Sequence, residues 1–476
     1  MLIRFAWLCR LEKKVASPKL ISSMTLSLLA QELDGELLGD DVTFTNISTD
    51  TRSLEKGDLY LALVGENFDG NKFVKAAESE GACAALVSRE TDSSIPVLQV
   101  KDTHVALGAI ARMSRQRSTA KVVALTGSQG KTTVKEMLAS ILSNTGECLA
   151  TEANLNNTIG VPLTLLKIEE RHEYVVIEMG ANCAGEIAFS VAATQPDIAL
   201  ITNASPAHIE GFGSLQGIVT SKGEIIDGLK DGGVMVLNAD DPHVDAWVAR
   251  AAGKNMVRFS YDNATDDSQY FASNVEDRGD GTNHFKLHTP QGVRALSSRF
   301  LGKHNILNAA AATAVAMEAG ASLDDVVLGL SNLDPVAGRL SRVSGINGCN
   351  LIDDSYNASP GSFFAAIDVL ASLPGQKILV MGDMKELGIE TDSAHKSIGE
   401  YASAAAIDEF WAVGEKSQLA VEAYNGAGRF FDDKSSLIEA IRSISHPDLT
   451  VLVKGSRGAK MNEVVTALKI DGETQC

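Results

Sequence analysis

A lysine followed by two hydroxyl residues, just after a glycine-bearing turn, is suited to holding phosphate. The chain carries this at Thr126 to Thr133, T-G-S-Q-G-K-T-T. Glycines let successive backbone N–H groups curl toward an anion. Lys131 then reaches the β- and γ-phosphates and Thr132 offers its hydroxyl to Mg2+, while Gly127, Ser128, Gln129, Gly130 and Thr133 complete the loop. The strict G-x-x-x-x-G-K-[ST] spacing is not met, because Leu125 stands five residues before Gly130. Context decides against an ordinary glycine turn. An apolar run, V-V-A-L-T, leads in, and the helical stretch V-K-E-M-L-A-S-I-L leads out, adding the partial positive charge of a helix N-terminus.

Nucleotide phosphates call for a divalent cation. Glu178 ends the apolar run Y-V-V-I-E, and His208 lies just beyond I-A-L-I-T-N. Taken singly they are a surface carboxylate and a hydrogen-bonded loop imidazole. Placed together at strand ends beside a phosphate loop, they read as metal ligands. Lys222, in V-T-S-K-G-E-I-I on a predicted helix, reads from its chemistry alone as a solvated lysine. Asp240-Asp241-Pro242 divides evenly between turn chemistry and nucleotide proximity.

The elements that must position these groups are continuous apolar runs: Val122–Thr126, Tyr174–Glu178, Ile198–Thr202 and Val234–Asn238. Separated by helical stretches, they predict parallel strands covered on both faces. A chain of 476 residues suggests three domains, at roughly 150 residues each. Residues 24–105 read as a small α/β domain, 106–335 as a central P-loop domain with a parallel sheet, and 336–476 as a Rossmann-like domain. The polar stretch Asp262–Pro290 reads as a hairpin excursion, and Asn305–Ala319 as a long alanine-rich helix. Residues 1–23 read as an over-called start or a loose extension; Arg4 and Arg10 interrupt the apolar run, and no small-residue cleavage site follows.

Composition narrows the class. With 45% hydrophobic and 22% charged residues, the chain is an ordinary globular protein. No apolar run approaches the roughly 20 residues that span a bilayer, so no membrane insertion is expected. Six scattered cysteines read as free thiols in a reducing cytoplasm. A net charge of −19 argues against nucleic acid as a partner. Within residues 101–140, however, seven basic residues face two acidic ones, a local excess expected to suit phosphate.

Taken together, T-G-S-Q-G-K-T-T, I-E-M-G-A-N, H-I-E-G-F-G with S-K-G-E-I, N-A-D-D-P and G-K-H-N-I-L-N-A-A-A-A-T-A-V-A resemble the Mur ligase superfamily. These are ATP-dependent amide-bond-forming enzymes of peptidoglycan precursor synthesis. The resemblance runs from about residue 24 to 470. Three segments favour the branch that joins D-alanyl-D-alanine to UDP-N-acetylmuramoyl-tripeptide: S-T-D-T-R with G-D-L-Y-L-A-L-V-G-E-N-F-D-G, which the third-residue ligase shares, then D-D-S-Y-N-A-S-P-G-S and M-G-D-M-K-E-L-G. The D-N-P-R motif of the third-residue ligase is absent, and the family's usual D-x-Y-N-A-N-P departs here at Ser359.

The resemblance implies roles residue by residue. Gly127 to Thr133 bind the phosphates of ATP; Thr132, Glu178 and His208 hold Mg2+, two ions in all. Lys222 becomes a carbamate with CO2 and supplies a further metal ligand, so that Lys131, Lys222 and His208 form the catalytic set. Asn305 and Asn308 take the adenine and phosphate sides, while Arg339 and Asp354 close over the nucleotide, Asp354 on the ribose. Asp50 and Arg52, with Asn156, Asn157 and Thr158, face the UDP-sugar. A monomer is expected, and large domain motion follows from the need to keep water from an acyl phosphate. Folylpolyglutamate synthase shares the phosphate-loop logic, but S-T-D-T-R argues against it. A non-catalytic ATP switch would not need three metal-ligating positions.

Overall fold

The computed structural model describes residues 18–65, 67–206, 209–262, 268–277 and 282–470. Three large α/β sheets follow one another along the chain. The central one runs Cys148–Ala150, Tyr174–Glu178, Lys121–Thr126, Ile198–Ile201, Val234–Asn238 and Asn255–Ser260 in spatial order, every pair parallel. Its four apolar runs are buried because alternate residues serve opposite faces. Val122, Ala124, Val175, Ile177, Ala199 and Ile201 pack with Ile110, Ile187 and Ile225 on one side. Val123, Leu125, Val176, Leu200 and Val236 pack with Val134, Leu138 and the alanine-rich helix Lys303–Glu318 on the other. Alanines at 309–312, 314 and 316 keep that helix thin enough to lie close against its neighbours.

Parallel order puts every carboxyl end on one edge, where open α/β sheets bind ligands. Thr126 leads to the phosphate loop and the helix Lys131–Leu142, Glu178 ends its strand, and Ile201 leads to Thr202–Ser205 on that same edge. The third sheet repeats the arrangement with Asn350–Asp354, Leu449–Lys454, Gln376–Gly382, Glu409–Val413 and Ala427–Phe431 parallel, and Ser341–Ser344 antiparallel at one edge. It is the Rossmann-like sheet anticipated.

Two expectations need correction. Residues 19–23 are not a loose extension: Lys19–Thr25 is a strand paired antiparallel with Thr43–Ser48, and Thr25 caps the helix Leu26–Leu33 by accepting from Leu28 N at 3.2 Å. Its alternation is too weak in apolar residues to announce a strand. The polar excursion is larger than one hairpin. Tyr270–Asp277, Asn283–Thr289 and Gly292–Ser298 extend the central sheet by three strands.

The local basic excess is also redistributed in space. Arg115 is buried, paired with Asp197 at 2.9 Å and donating to the Thr194, Gln195 and Ser118 carbonyls. Lys135 is buried and donates to the Thr151 carbonyl, Lys101 pairs with Asp34, and Arg117 donates to Ser22. Of the seven, Lys131 belongs to the loop itself. Replacing Arg115 with Leu is therefore expected to cost about 2 kcal/mol of stability while leaving ADP affinity unchanged. Denaturant unfolding and calorimetric titration check this; lost affinity at full stability would return Arg115 to the phosphate site.

Candidate active site

The phosphate loop is shaped by glycine and pinned from the side. Gly130 adopts φ +81° at the start of the helix Lys131–Leu142, and a Cβ there would lie 2.5 Å from Asn308 Oδ1. A Cβ on Gly127 would lie 1.9 Å from Thr202 Oγ1. Both positions exclude any larger residue. Ser128 N donates to Asn203 O at 3.0 Å, Gln129 N to Asn203 Oδ1 at 3.0 Å, and Thr202 Oγ1 to Gln129 O at 2.7 Å. Ser128 Oγ donates in turn to Ser205 O at 2.9 Å. Asp241 supports this bracket, accepting from Ala204 N and from His243 N, each at 2.8 Å, so N-A-D-D-P forms a turn that holds a neighbouring loop.

Lys131 Nζ donates to Gly127 O at 2.6 Å and to Ser128 O at 3.3 Å, so its ammonium lies inside the curve of the loop. Desolvation pushes its pKa down; the Glu178 charge opposes that and the Arg339 charge adds to it. Glu178 is buried at the end of its strand. Its Oε1 accepts from Asn156 Nδ2 at 2.7 Å and from Thr132 Oγ1 at 3.3 Å. Its Oε2 is buried with no hydrogen-bond partner. An orphaned buried carboxylate oxygen is costly, and a divalent cation between it and the Thr132 hydroxyl would supply the missing partner. The residues present therefore fit Mg2+.

Lys222 overturns the reading drawn from its chemistry alone. It is 3% exposed, on the inner face of the helix Leu215–Asp227, with Nζ 5.5 Å from the Phe212 ring centroid. Desolvation first, and the Lys131 charge second, hold its pKa well below the ordinary lysine range, against the pull of Glu186 and Glu224. His208 lies outside the described residues. Among the described residues no three His, Cys, Asp or Glu side chains cluster at metal-ligand spacing.

Asn305 and Asn308 sit one turn apart on the helix Lys303–Glu318, both buried. Asn305 donates to Leu301 O at 2.8 Å, and Asn308 donates to Asn305 Oδ1 at 3.0 Å beside Gly130. From the third sheet, Arg339 Nη2 donates to Thr132 Oγ1 at 2.9 Å, its guanidinium 4.5 Å from the Tyr356 ring centroid. Asp354 is buried and doubly engaged, accepting from Leu340 N at 3.2 Å and from Lys454 Nζ at 2.6 Å. Burial raises its pKa against the lowering effect of Lys454.

The segment expected on the UDP-sugar side divides. Asn156 reaches Glu178, whereas Asn157 Oδ1 accepts from Ile159 N and Gly160 N at the start of the helix Gly160–Leu165. Thr158 O contacts His104 Nε2 at 3.0 Å. Asp50 and Arg52 form a mutual 2.6 Å ion pair in the first sheet's region. Sequence reasoning missed Thr202, Asn203 and Ser205, although I-T-N-A-S-P after an apolar run was the available signal.

Known proteins are similar over most of the chain. Three family models match: "Mur ligase family, catalytic domain" at residues 43–115, "Mur ligase middle domain" at 125–316, and "Mur ligase, glutamate ligase domain" at 338–457. The UDP-N-acetylmuramoyl-tripeptide–D-alanyl-D-alanine ligase of Escherichia coli strain K12 is 47% identical, covering 94% of this chain and 99% of its own. The chain belongs to the Mur ligase family. Among solved structures, MurF from Acinetobacter baumannii superposes with a TM-score of 0.88 at 36% identity, covering 94% of this chain and 99% of that one. MurF from Thermotoga maritima, solved with ADP, gives 0.82 at 28% identity over 88% of this chain and 96% of that one.

Within this Mur ligase, Lys222 carries a measurable cost. Lys222→Met is expected to stabilise the fold by about 1–2 kcal/mol while lowering activity. The folded-state pKa is depressed below 10.5, so the unfolded state binds more protons. Wild-type stability should therefore gain on the variant as pH rises through that interval. Urea unfolding of both proteins against pH checks this, and a destabilised variant at neutral pH would show that the ammonium is paired within the fold.

Proposed function

We propose that the chain joins D-alanyl-D-alanine to UDP-N-acetylmuramoyl-tripeptide through an acyl phosphate, releasing ADP and phosphate. One observation carries the reading. The phosphate loop, the orphaned Glu178 carboxylate and Arg339 from the third domain converge on Thr132. The whole-length similarity to the Escherichia coli ligase supplies the substrates.

Gly127 to Thr133 cradle the ATP phosphates, and Lys131 leaves its two loop carbonyls for the β- and γ-oxygens. Thr132, Glu178 and His208 would hold Mg2+, and a carbamate on Lys222 would add a ligand near a second ion. Burial keeps the Lys222 amine toward its neutral form, the form that CO2 requires. Mg2+ held there would screen the repulsion between the triphosphate and the attacking carboxylate. Asn305 and Asn308 brace the nucleotide side, Asp354 and Arg339 approach from the third domain, and Asp50 and Arg52 stay with the UDP-sugar. A terminal carboxylate oxygen of the tripeptide attacks the γ-phosphorus and ADP leaves. The free amine of the dipeptide then attacks the acyl carbon and loses a proton, and phosphate departs. Acyl phosphates hydrolyse readily, so the third domain must cover the loop. The protein acts as a monomer in the cytoplasm; among the described residues no helix is long and apolar enough to cross a membrane.

Phosphate release should require ATP, UDP-N-acetylmuramoyl-tripeptide and D-alanyl-D-alanine together. Donors carrying meso-diaminopimelate or lysine at the third position identify the natural one, and folate as acceptor should give nothing. Lys131→Ala should lower turnover at least about a thousandfold. Release independent of the dipeptide, or near-normal Lys131→Ala turnover, would overturn the assignment.

A further inference from the structure

Besides Arg339, a second contact joins the phosphate loop to the third domain. Gln129 Nε2 donates to Ser205 Oγ and to Ser359 Oγ, each at 3.2 Å. An amide nitrogen carries two hydrogens, enough for both hydroxyls at once. Ser205 lies at the exit of the Ile198–Ile201 strand, whereas Ser359 belongs to the third domain. One side chain thus bridges the two.

Both ends of the bridge are fixed from behind. The Gln129 backbone carbonyl accepts from Thr202 Oγ1 at 2.7 Å and from Asn203 Nδ2 at 3.2 Å, so the backbone from which the amide extends is held in place. Ser359 caps the helix Pro360–Ser372, accepting from Ser362 N at 3.4 Å and donating to Ser362 Oγ at 3.3 Å. A third feature is independent of these bonds. A Cβ on Gly361 would lie 2.9 Å from Gln129 Nε2, so the helix backbone comes as near as a glycine permits. Ser359 is the position at which the chain departs from its family's usual motif, and serine provides both the cap and a hydroxyl for Gln129.

We propose that Gln129 is a positioning residue: its bond to Ser359 registers the Pro360–Ser372 helix, and the third domain with it, on the phosphate loop for phosphoryl transfer. This rests on the ligase reading above. The bond forms when the third domain lies over the loop, so losing it slows the covered step more than it weakens nucleotide binding.

The test uses the full chain with ATP, UDP-N-acetylmuramoyl-tripeptide and D-alanyl-D-alanine, together with a fluorescent pair on the central and third domains that reports closure. Ser359→Ala removes the acceptor but also the helix cap. Gly361→Ala leaves the cap intact and crowds the amide, and Ser359→Thr keeps the hydroxyl. Gln129→Ala, Ser359→Ala and Gly361→Ala are each expected to lower kcat about tenfold. The KM for ATP should stay within about twofold for the two third-domain variants. Ser359→Thr should retain wild-type kcat, and the Gln129→Ala/Ser359→Ala double variant should be no slower than the slower single. Multiplying effects in the double variant, wild-type kcat in Gly361→Ala, or equal loss in Ser359→Thr would overturn the proposal. If the wild type released no phosphate, the ligase reading would fail, and the closure signal would still test the bridge: an unchanged closed fraction in Ser359→Ala with ADP would overturn it.

Discussion

Two anions must meet in this reaction, a triphosphate and a carboxylate, on a chain whose own net charge is −19. Coulomb repulsion therefore governs the design more than shape does. The answer is local and lies at the carboxyl edge of one parallel sheet. Lys131, the Glu178 carboxylate with its unpartnered oxygen, and the Thr132 hydroxyl are brought together by adjacent strands, while Arg115 and Lys135, near Lys131 in sequence, serve as structural ties. Neighbouring groups maintain that edge: Thr202, Asn203 and Ser205 pin the loop, Asp241 pins them, and Thr151 Oγ1 accepts from Glu178 N at 3.0 Å.

The site is built at the expense of stability. Lys222 is buried against a phenyl ring near another lysine, and Glu178 keeps one oxygen without a partner. Each would be better tolerated as an apolar residue in a protein with no ligand to bind. Such unpaid polarity is bearable because the surrounding sheet is tightly packed on both faces and fixes the strand ends regardless.

Much of this was legible from residue order. Continuous Val- and Ile-rich runs, each bounded by helical stretches, read as parallel strands covered on both faces, and the strand–glycine–lysine–helix order located the phosphate loop. What escaped depends on distance in space. Lys222 lies on a buried helix face that a single lysine in an amphipathic stretch does not reveal. Arg115 and Lys135 share a sequence neighbourhood with Lys131 but point into joints, because side chains on successive turns and strands diverge. Asn156 was grouped with Asn157 and Thr158, yet only Asn156 turns toward Glu178. The contacts of Arg339 and Gln129 span about half the chain and left no local trace.

The donor carboxylate itself takes the phosphoryl group at the Thr132 edge. Oxygen labelling tests this. With 18O in the terminal carboxylate of UDP-N-acetylmuramoyl-tripeptide, the released phosphate should carry one labelled oxygen per turnover, read by mass spectrometry. Unlabelled phosphate formed alongside the amide product would contradict it.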